Sequence, residues 1–270
     1  MDFFLQLLVN GISLGFLYAL SALGFVMIFK SSSVLNFAHG ELMAIGAFLF
    51  LALSAWADLP IVLAFALTLA GSFTLGFILE KFFLRPLIGE ALIQVIMLTL
   101  GLALMFRGLL LFIFGGDIHD YPNFLPDALS LKWGAIEVPS VYVAAFLIGI
   151  LFLILFGLFF KYSSQGIYMR SVADNQLVCA MSGIVLGIIN GINVHELSSI
   201  GLKVFPVVIL GGLDSIGGAI LGGIIIGLLE TFTGGYISSS LREIIPYIVL
   251  IFILMVKPYG LFGLVEIERV

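Results

Sequence analysis

Apolar runs of membrane length, each ended by a charge or a proline, set the pattern of this chain. Residues 3–29 form the first run, stopped by Lys30. Residues 42–56 follow, stopped by Asp58-Leu59-Pro60, and this run is short enough to begin inside a membrane. Residues 61–79 end at Glu80-Lys81, and residues 91–114 contain Arg107. A polar stretch with Asp117, Asp120, Asp127 and Glu137 leads to a fifth run, 141–160, ended by Lys161. Later runs are 200–213, 216–229 and 244–256. About 20 apolar residues cross a hydrocarbon core as a helix, so the pattern predicts roughly eight spans. Backbone groups in lipid must bond within their own segment, which predicts helices. The alternating segments of a transmembrane barrel are missing from the sequence.

Basic residues fix the expected orientation. Lys30, Lys81, Arg85, Lys161, Arg170, Lys257 and Arg269 fall at alternate connections, against Lys132 and Arg242 on the other side. The first set is expected in the cytoplasm, with the N-terminus and the acidic 115–139 loop outside. Met1-Asp2 lacks a basic n-region, so the first run reads as a span and not as a cleavable signal. Parity then poses a problem. Lys161 and Lys257 share a side, so an even number of crossings separates them, yet 200–213, 216–229 and 244–256 are three. Only 184–191 remains, about half the hydrocarbon core in length. Either 184–191 is an unusual half-span or, the favoured expectation, one span is missing near residues 183–187, through a stretch absent between about Gly183 and Val185.

Composition narrows the function. Of 270 residues, 62% are hydrophobic and 10% charged, against about 25% charged in soluble domains. The net charge of −5 gives no basic field for nucleic acid. Abundant glycine suits closely packed membrane helices. The whole chain, 1–270, reads as a single transmembrane domain of all-α class: a polytopic bundle with re-entrant or broken segments. The lone Cys179 forms no disulfide within the chain. Three scattered histidines make no metal set, and no G-x-x-x-x-G-K-[ST] motif occurs, so any ATP hydrolysis belongs to another chain.

Three clusters carry candidate chemistry. Asn36-Phe37-Ala38-His39-Gly40-Glu41 lies between two apolar runs. Asn36, His39 and Glu41 either line the permeation path on a re-entrant turn, as costly polar groups at membrane depth do, or stand in water on a connector. Gly211, Gly212, Asp214, Ser215, Gly217 and Gly218 interrupt an apolar run. They mark either a binding site in a broken segment or a tight turn between antiparallel helices. Gly218/Gly222 and Gly223/Gly227 are small-residue pairs suited to helix packing. The third cluster, 163–184, is the longest polar stretch expected in the cytoplasm, and a short helix there suits docking to a soluble partner. Arg107 can snorkel, pair with a carboxylate such as Glu230, or face a water-filled cavity. His195, Glu196 and Lys203 fall near the extracytoplasmic edge.

Four stretches in order resemble one family: residues 36–41, Met169-Arg170-Ser171-Val172-Ala173-Asp174-Asn175, residues 207–219, and Lys257-Pro258-Tyr259-Gly260-Leu261-Phe262-Gly263. The chain resembles the permeases of branched-chain (hydrophobic) amino-acid ABC importers, in the smaller of two permease types, over essentially its whole length. Urea and short-chain amide importers share this type. The resemblance implies a bacterial inner-membrane complex. Its parts are a second homologous permease, two ATP-binding subunits that use ATP and Mg, and a periplasmic binding protein. It also implies that residues 166–183 form the segment contacting an ATPase, with Gly166, Met169, Arg170, Ala173, Asp174, Asn175 and Gly183 as candidates. This chain departs from the pattern where similar proteins carry another full apolar span before a stretch like residues 187–196. Here Ser182-Gly183-Ile184 runs almost directly into Val185-Leu186-Gly187. A standalone ion-coupled carrier is the competing class, and it needs coupling carboxylates deep in spans, for which Glu230 and Glu41 qualify.

Overall fold

In lipid, a helix is the one open-ended conformation that pairs every backbone group within its own segment, and helices are what the apolar runs form. The structure, a computed structural model, describes residues 2–32, 35–87, 90–121, 131–133, 136–138, 147, 150, 151, 154 and 171–263. Helix α1 is Asp2–Ser32 and α2 is His39–Leu51, prolonged by a π-helical turn over Ala52–Trp56. Helix α3, Ile61–Leu79, continues through Glu80–Leu84 and Arg85–Leu87, and α4 is Leu92–Phe114. A small antiparallel hairpin of β1 (Leu131–Trp133) and β2 (Ile136–Val138) sets Lys132 opposite Glu137. Then come α5 (Ser171–Asn190), α6 (Val194–Gly211), α7 (Ile216–Tyr236) and α8 (Ser239–Val256). Seven of these helices are long and apolar enough to cross a membrane. The chain is an all-α, multi-pass membrane protein. Of the expected fifth span, Leu147, Ile150, Leu151 and Ile154 are helical, and its other residues lie outside the described ones.

Helix α5 occupies the region of the parity shortfall. It runs unbroken through residues 183–187 for 20 residues, about 30 Å at 1.5 Å per residue, enough for a hydrocarbon core. Its apolar stretch, however, is only Gln176–Ile188, so it is not one of the seven membrane-length helices, and three such helices, α6 to α8, follow residue 170, as the parity count found. Its polar residues occupy the first turns. Gln176, the first with a described side chain, is buried and donates from Nε2 to the Leu42 carbonyl at 3.2 Å.

Backbone ties hold both ends of α6. His119 and Ile192 exchange two hydrogen bonds, at 2.9 and 2.7 Å, joining the segment after α4 to the α5–α6 connection. At the other end, the N–H groups of Leu261 and Phe262 donate to the carbonyls of Leu210 and Gly211, at 2.8 and 3.0 Å. That second end carries Lys81, Arg85 and Lys257 and is called the basic end below.

Close backbone contact holds the centre. With no hydrophobic force between helices in lipid, packing relies on small residues that let backbones approach. Helices α2 and α5 cross in close contact: a side chain at Gly46 would collide with Ala180, and one at Gly183 with the Met43 carbonyl. The two small-residue pairs of α7 serve different partners. Gly223 and Gly227 meet Gly15 on α1, and Gly218 and Gly222 meet Gly211 and Val207 on α6. The inner bundle buries most of α1, whereas α3, α4 and α8 turn apolar faces outward, with Phe112 91% exposed.

Candidate functional site

Helix α2 starts well inside the bundle. His39 lies against Gly24 of α1 and Cys179 of α5, and Gly40 against Gly201 of α6. Gly24 precedes the end of α1 by eight residues, Cys179 follows the start of α5 by eight, and Gly201 precedes the end of α6 by ten. At 1.5 Å per residue, all three place the α2 N-terminus about 12–15 Å in from the basic end. The break between α1 and α2 is thus at membrane depth. Irregular backbone is tolerated there only against protein or a water-filled cavity.

The polar groups at this break are buried and paired. The Asn36 side chain accepts from the Ala38 N–H at 3.0 Å, closing the turn. His39 is fully buried, with Nε2 3.0 Å from the Ser21 carbonyl and Nδ1 3.3 Å from Cys179 Sγ. A carbonyl only accepts, so Nε2 carries the donated proton and Nδ1 is left to accept from the thiol. The Glu41 carboxylate pairs with Arg107 of α4 at 2.6 Å. The partner of Arg107 is therefore Glu41, not Glu230. Its side chain is 34% exposed, yet its Nε is buried without a hydrogen-bond partner. Through Arg107 this cluster reaches the surface of the subunit.

A second cluster lies in the half of the bundle away from the basic end. Glu196, Ser199, Ile200 and Lys203 recur at helical spacing on one face of α6. They line a cavity of about 420 Å³ together with residues of α1, α7 and α8. Glu230 of α7, 1% exposed, accepts from Tyr18 (2.6 Å), Lys203 (2.8 Å) and Arg242 (3.3 Å). Lys203 also pairs with Glu243 at 2.9 Å. Four helices meet in this one network. Sequence reading noted Lys203 and Glu230 singly but missed the network and the place of Tyr18 and Arg242 in it. The available signal was an ionisable residue inside or beside an apolar run, three times over.

The glycine break behaves as a turn. Gly212 adopts φ +106°, which favours glycine, and the Ser215 side chain caps α7 by accepting from the Gly218 N–H at 3.0 Å. Gly211, Gly212, Asp214, Ser215, Gly217 and Gly218 all sit at the basic end, where residues 257–263 pack on them. Ten residues of α6, about 15 Å, separate them from Gly40, so the structure does not join the two candidate clusters.

Of the docking candidates, Gly166, Met169 and Arg170 lie outside the described residues. Ala173, Asp174 and Asn175 fall in the first turns of α5, toward the basic end. Gly183 is twelve residues into α5, buried against Met43. Its expected place on a docking segment is corrected, because a residue buried against α2 offers a soluble partner no access. Among the described residues no group of His, Cys, Asp and Glu is placed to hold a metal.

The comparisons with known proteins agree with the fold. The family described as "Branched-chain amino acid transport system / permease component" matches residues 7–190. The "High-affinity branched-chain amino acid transport system permease protein LivH" of Salmonella typhimurium is 26% identical, with 99% of this chain and 98% of that protein aligned. The LivH protein of Escherichia coli K12 is 25% identical, and the BraD protein of Pseudomonas aeruginosa 27%, with the same coverage. The Salmonella alignment runs over 307 positions against 270 residues here, so at least 37 of its positions face a gap in this chain. No solved structure matches the chain.

Proposed function

The chain belongs to the branched-chain amino acid transport system permease family, and from that premise we propose that it conducts aliphatic amino acids across a bacterial inner membrane as one permease of an ATP-driven importer. The carrying observation is similarity along 99% of the chain to permeases named for that transport. The basic end faces the cytoplasm, by the excess of lysine and arginine on that side, which puts the N-terminus outside and the C-terminus inside.

The chain lacks a phosphate-binding loop, so energy comes from two ATP-binding partner subunits that use ATP and Mg. A second, homologous permease and a periplasmic binding protein complete the assembly. Residues 166–175, next to the start of α5 at the basic end, are the ATPase-contacting segment in this reading, with Gly183 left out. Asn36, His39 and Glu41 stand beside the path at membrane depth. Asp214, Ser215 and the glycines around them stand at its cytoplasmic mouth. Closure of the ATPases would shift the bundle between two states of differing stability.

Reconstitution tests this function. Vesicles holding the four-subunit membrane complex, given ATP inside and leucine-loaded binding protein outside, should accumulate labelled leucine. Uptake by this chain alone, or uptake driven by an ion gradient without ATP, would overturn the reading.

A further inference from the structure

The cavity bounded by α1, α6, α7 and α8 holds more charge than its internal pairing uses. Lys203 and Glu230 are 5% and 1% exposed and saturate each other, together with Tyr18 and Glu243. Two groups at the cavity are left over. Arg242 is 45% exposed and spends only its Nε on Glu230, so its two terminal nitrogens make no bond among the described residues. Glu196, in the first turn of α6, has a carboxylate with no partner among the described residues. Leu14 and Ile200 add apolar side chains to the lining of the same cavity. A volume of about 420 Å³ falls in the range of about 300–1,000 Å³ for small-molecule pockets.

An open guanidinium fork matches a carboxylate bidentately. A free carboxylate matches an ammonium, and an aliphatic wall matches an aliphatic side chain. The formal charges of Glu196, Lys203, Glu230, Arg242 and Glu243 sum to −1, so a zwitterion fits without leaving a large charge imbalance. Lys203 and Glu230, at the cavity's inner wall, are buried ionisable groups in a membrane bundle, which are functional-site candidates by default. We infer that this cavity is a receiving site for a zwitterionic aliphatic amino acid, with its carboxylate on Arg242 and its ammonium on Glu196. The Tyr18–Glu230–Lys203 network is the scaffold that holds Arg242 in place. The inference rests on the transport function proposed above and assigns that function a site.

The test uses the assembled permease–ATPase complex in nanodiscs, without binding protein, and labelled leucine as the probe. Leucine should bind, and leucinamide and 4-methylpentanoate, each lacking one charge, should compete about tenfold more weakly or worse. Urea should not compete. Arg242→Gln and Glu196→Gln should each weaken leucine binding about tenfold, with ATPase copurification unchanged and Arg242→Lys in between. Should Arg242→Gln fail to assemble, Glu196→Gln on the exposed rim decides alone. Wild-type affinity in Glu196→Gln, or equal competition by leucinamide, overturns the site. A complex that imports leucine with ATP but binds none here loses the site and keeps the function. An importer that takes up urea and no leucine overturns the function itself.

Discussion

Glu41 and Arg107 meet as one pair at the buried start of α2, with the arginine one-third open. Glu230 instead sits at the centre of a network joining α1, α6, α7 and α8, with Tyr18 and Lys203 almost wholly enclosed. Both place ionic groups where water is scarce, yet their demands differ. The Glu230 network must satisfy its members internally, because an uncompensated charge in a low-dielectric bundle is costly. The Arg107 pair keeps an outlet at the surface and leaves its Nε unpaired. The Tyr18–Lys203–Glu230 core is a framework element, and its outer members Arg242 and Glu243 reach the surface. The open pair stands where a second subunit or a water-filled path would complete it.

The sharpest way to break this comparison is Lys203→Met. Removing one member of a buried pair typically costs about 3–5 kcal/mol, because it strands the partner's charge. The variant should lose most of its folded yield in detergent, with a markedly lower thermal midpoint. The double change Lys203→Met with Glu230→Met should recover much of that loss, as apolar replacements of whole buried pairs do. A double variant no more stable than the single one would show that Glu230 is not stranded, and the two clusters would then not differ in kind.

A smaller effect is expected at the open pair. Glu41→Gln keeps one acceptor for Arg107, which is already partly exposed, so the cost should be about 1–2 kcal/mol. Thermal unfolding of the purified chain measures it. A loss as large as that of Lys203→Met would mean that the Arg107 outlet is closed. ATP-driven uptake should fall further than stability does if the pair stands beside the path.

Much of the bundle was legible in the sequence, because the apolar runs and their charged stops are long and unambiguous. The packing role of the α7 glycines was legible for the same reason. Helix α5 was not, since hydropathy weighs Ser171, Asp174, Asn175 and Gln176 as solvent-facing. A helix packed in the bundle can hold such residues in its first turns, with Gln176 bonded to Leu42. The Asn36–Glu41 break was legible as polar residues between apolar runs, but its depth was not: only contacts with Gly24, Cys179 and Gly201 set it. The Glu230 network joins residues as far apart as Tyr18 and Glu243, and no local pattern links them.

The smallest effect bears on what keeps α2 in place at the end away from its buried start. Tyr121, in the segment after α4, donates its hydroxyl to the Ala47 carbonyl of α2 at 3.0 Å. Burial pushes its pKa well above the ordinary value, since the charged phenolate would lose its water. A raised folded-state pKa means that the folded chain holds the proton more tightly than the unfolded one. The resulting stability is present below about pH 10, the unfolded value, and is lost as pH climbs from there toward the folded value. Tyr121→Phe removes one hydrogen bond and should cost about 1 kcal/mol at neutral pH. It should also lose less stability than wild type between neutral and strongly alkaline pH, read as the difference between two thermal-unfolding series. Because α2 carries Glu41, the same variant should loosen the Arg107 pair while leaving the Glu230 network intact. Hydrogen exchange that quickens along α2 but not along α7 is the expected signature, and equal quickening in both helices would mean that the two clusters are held by one framework.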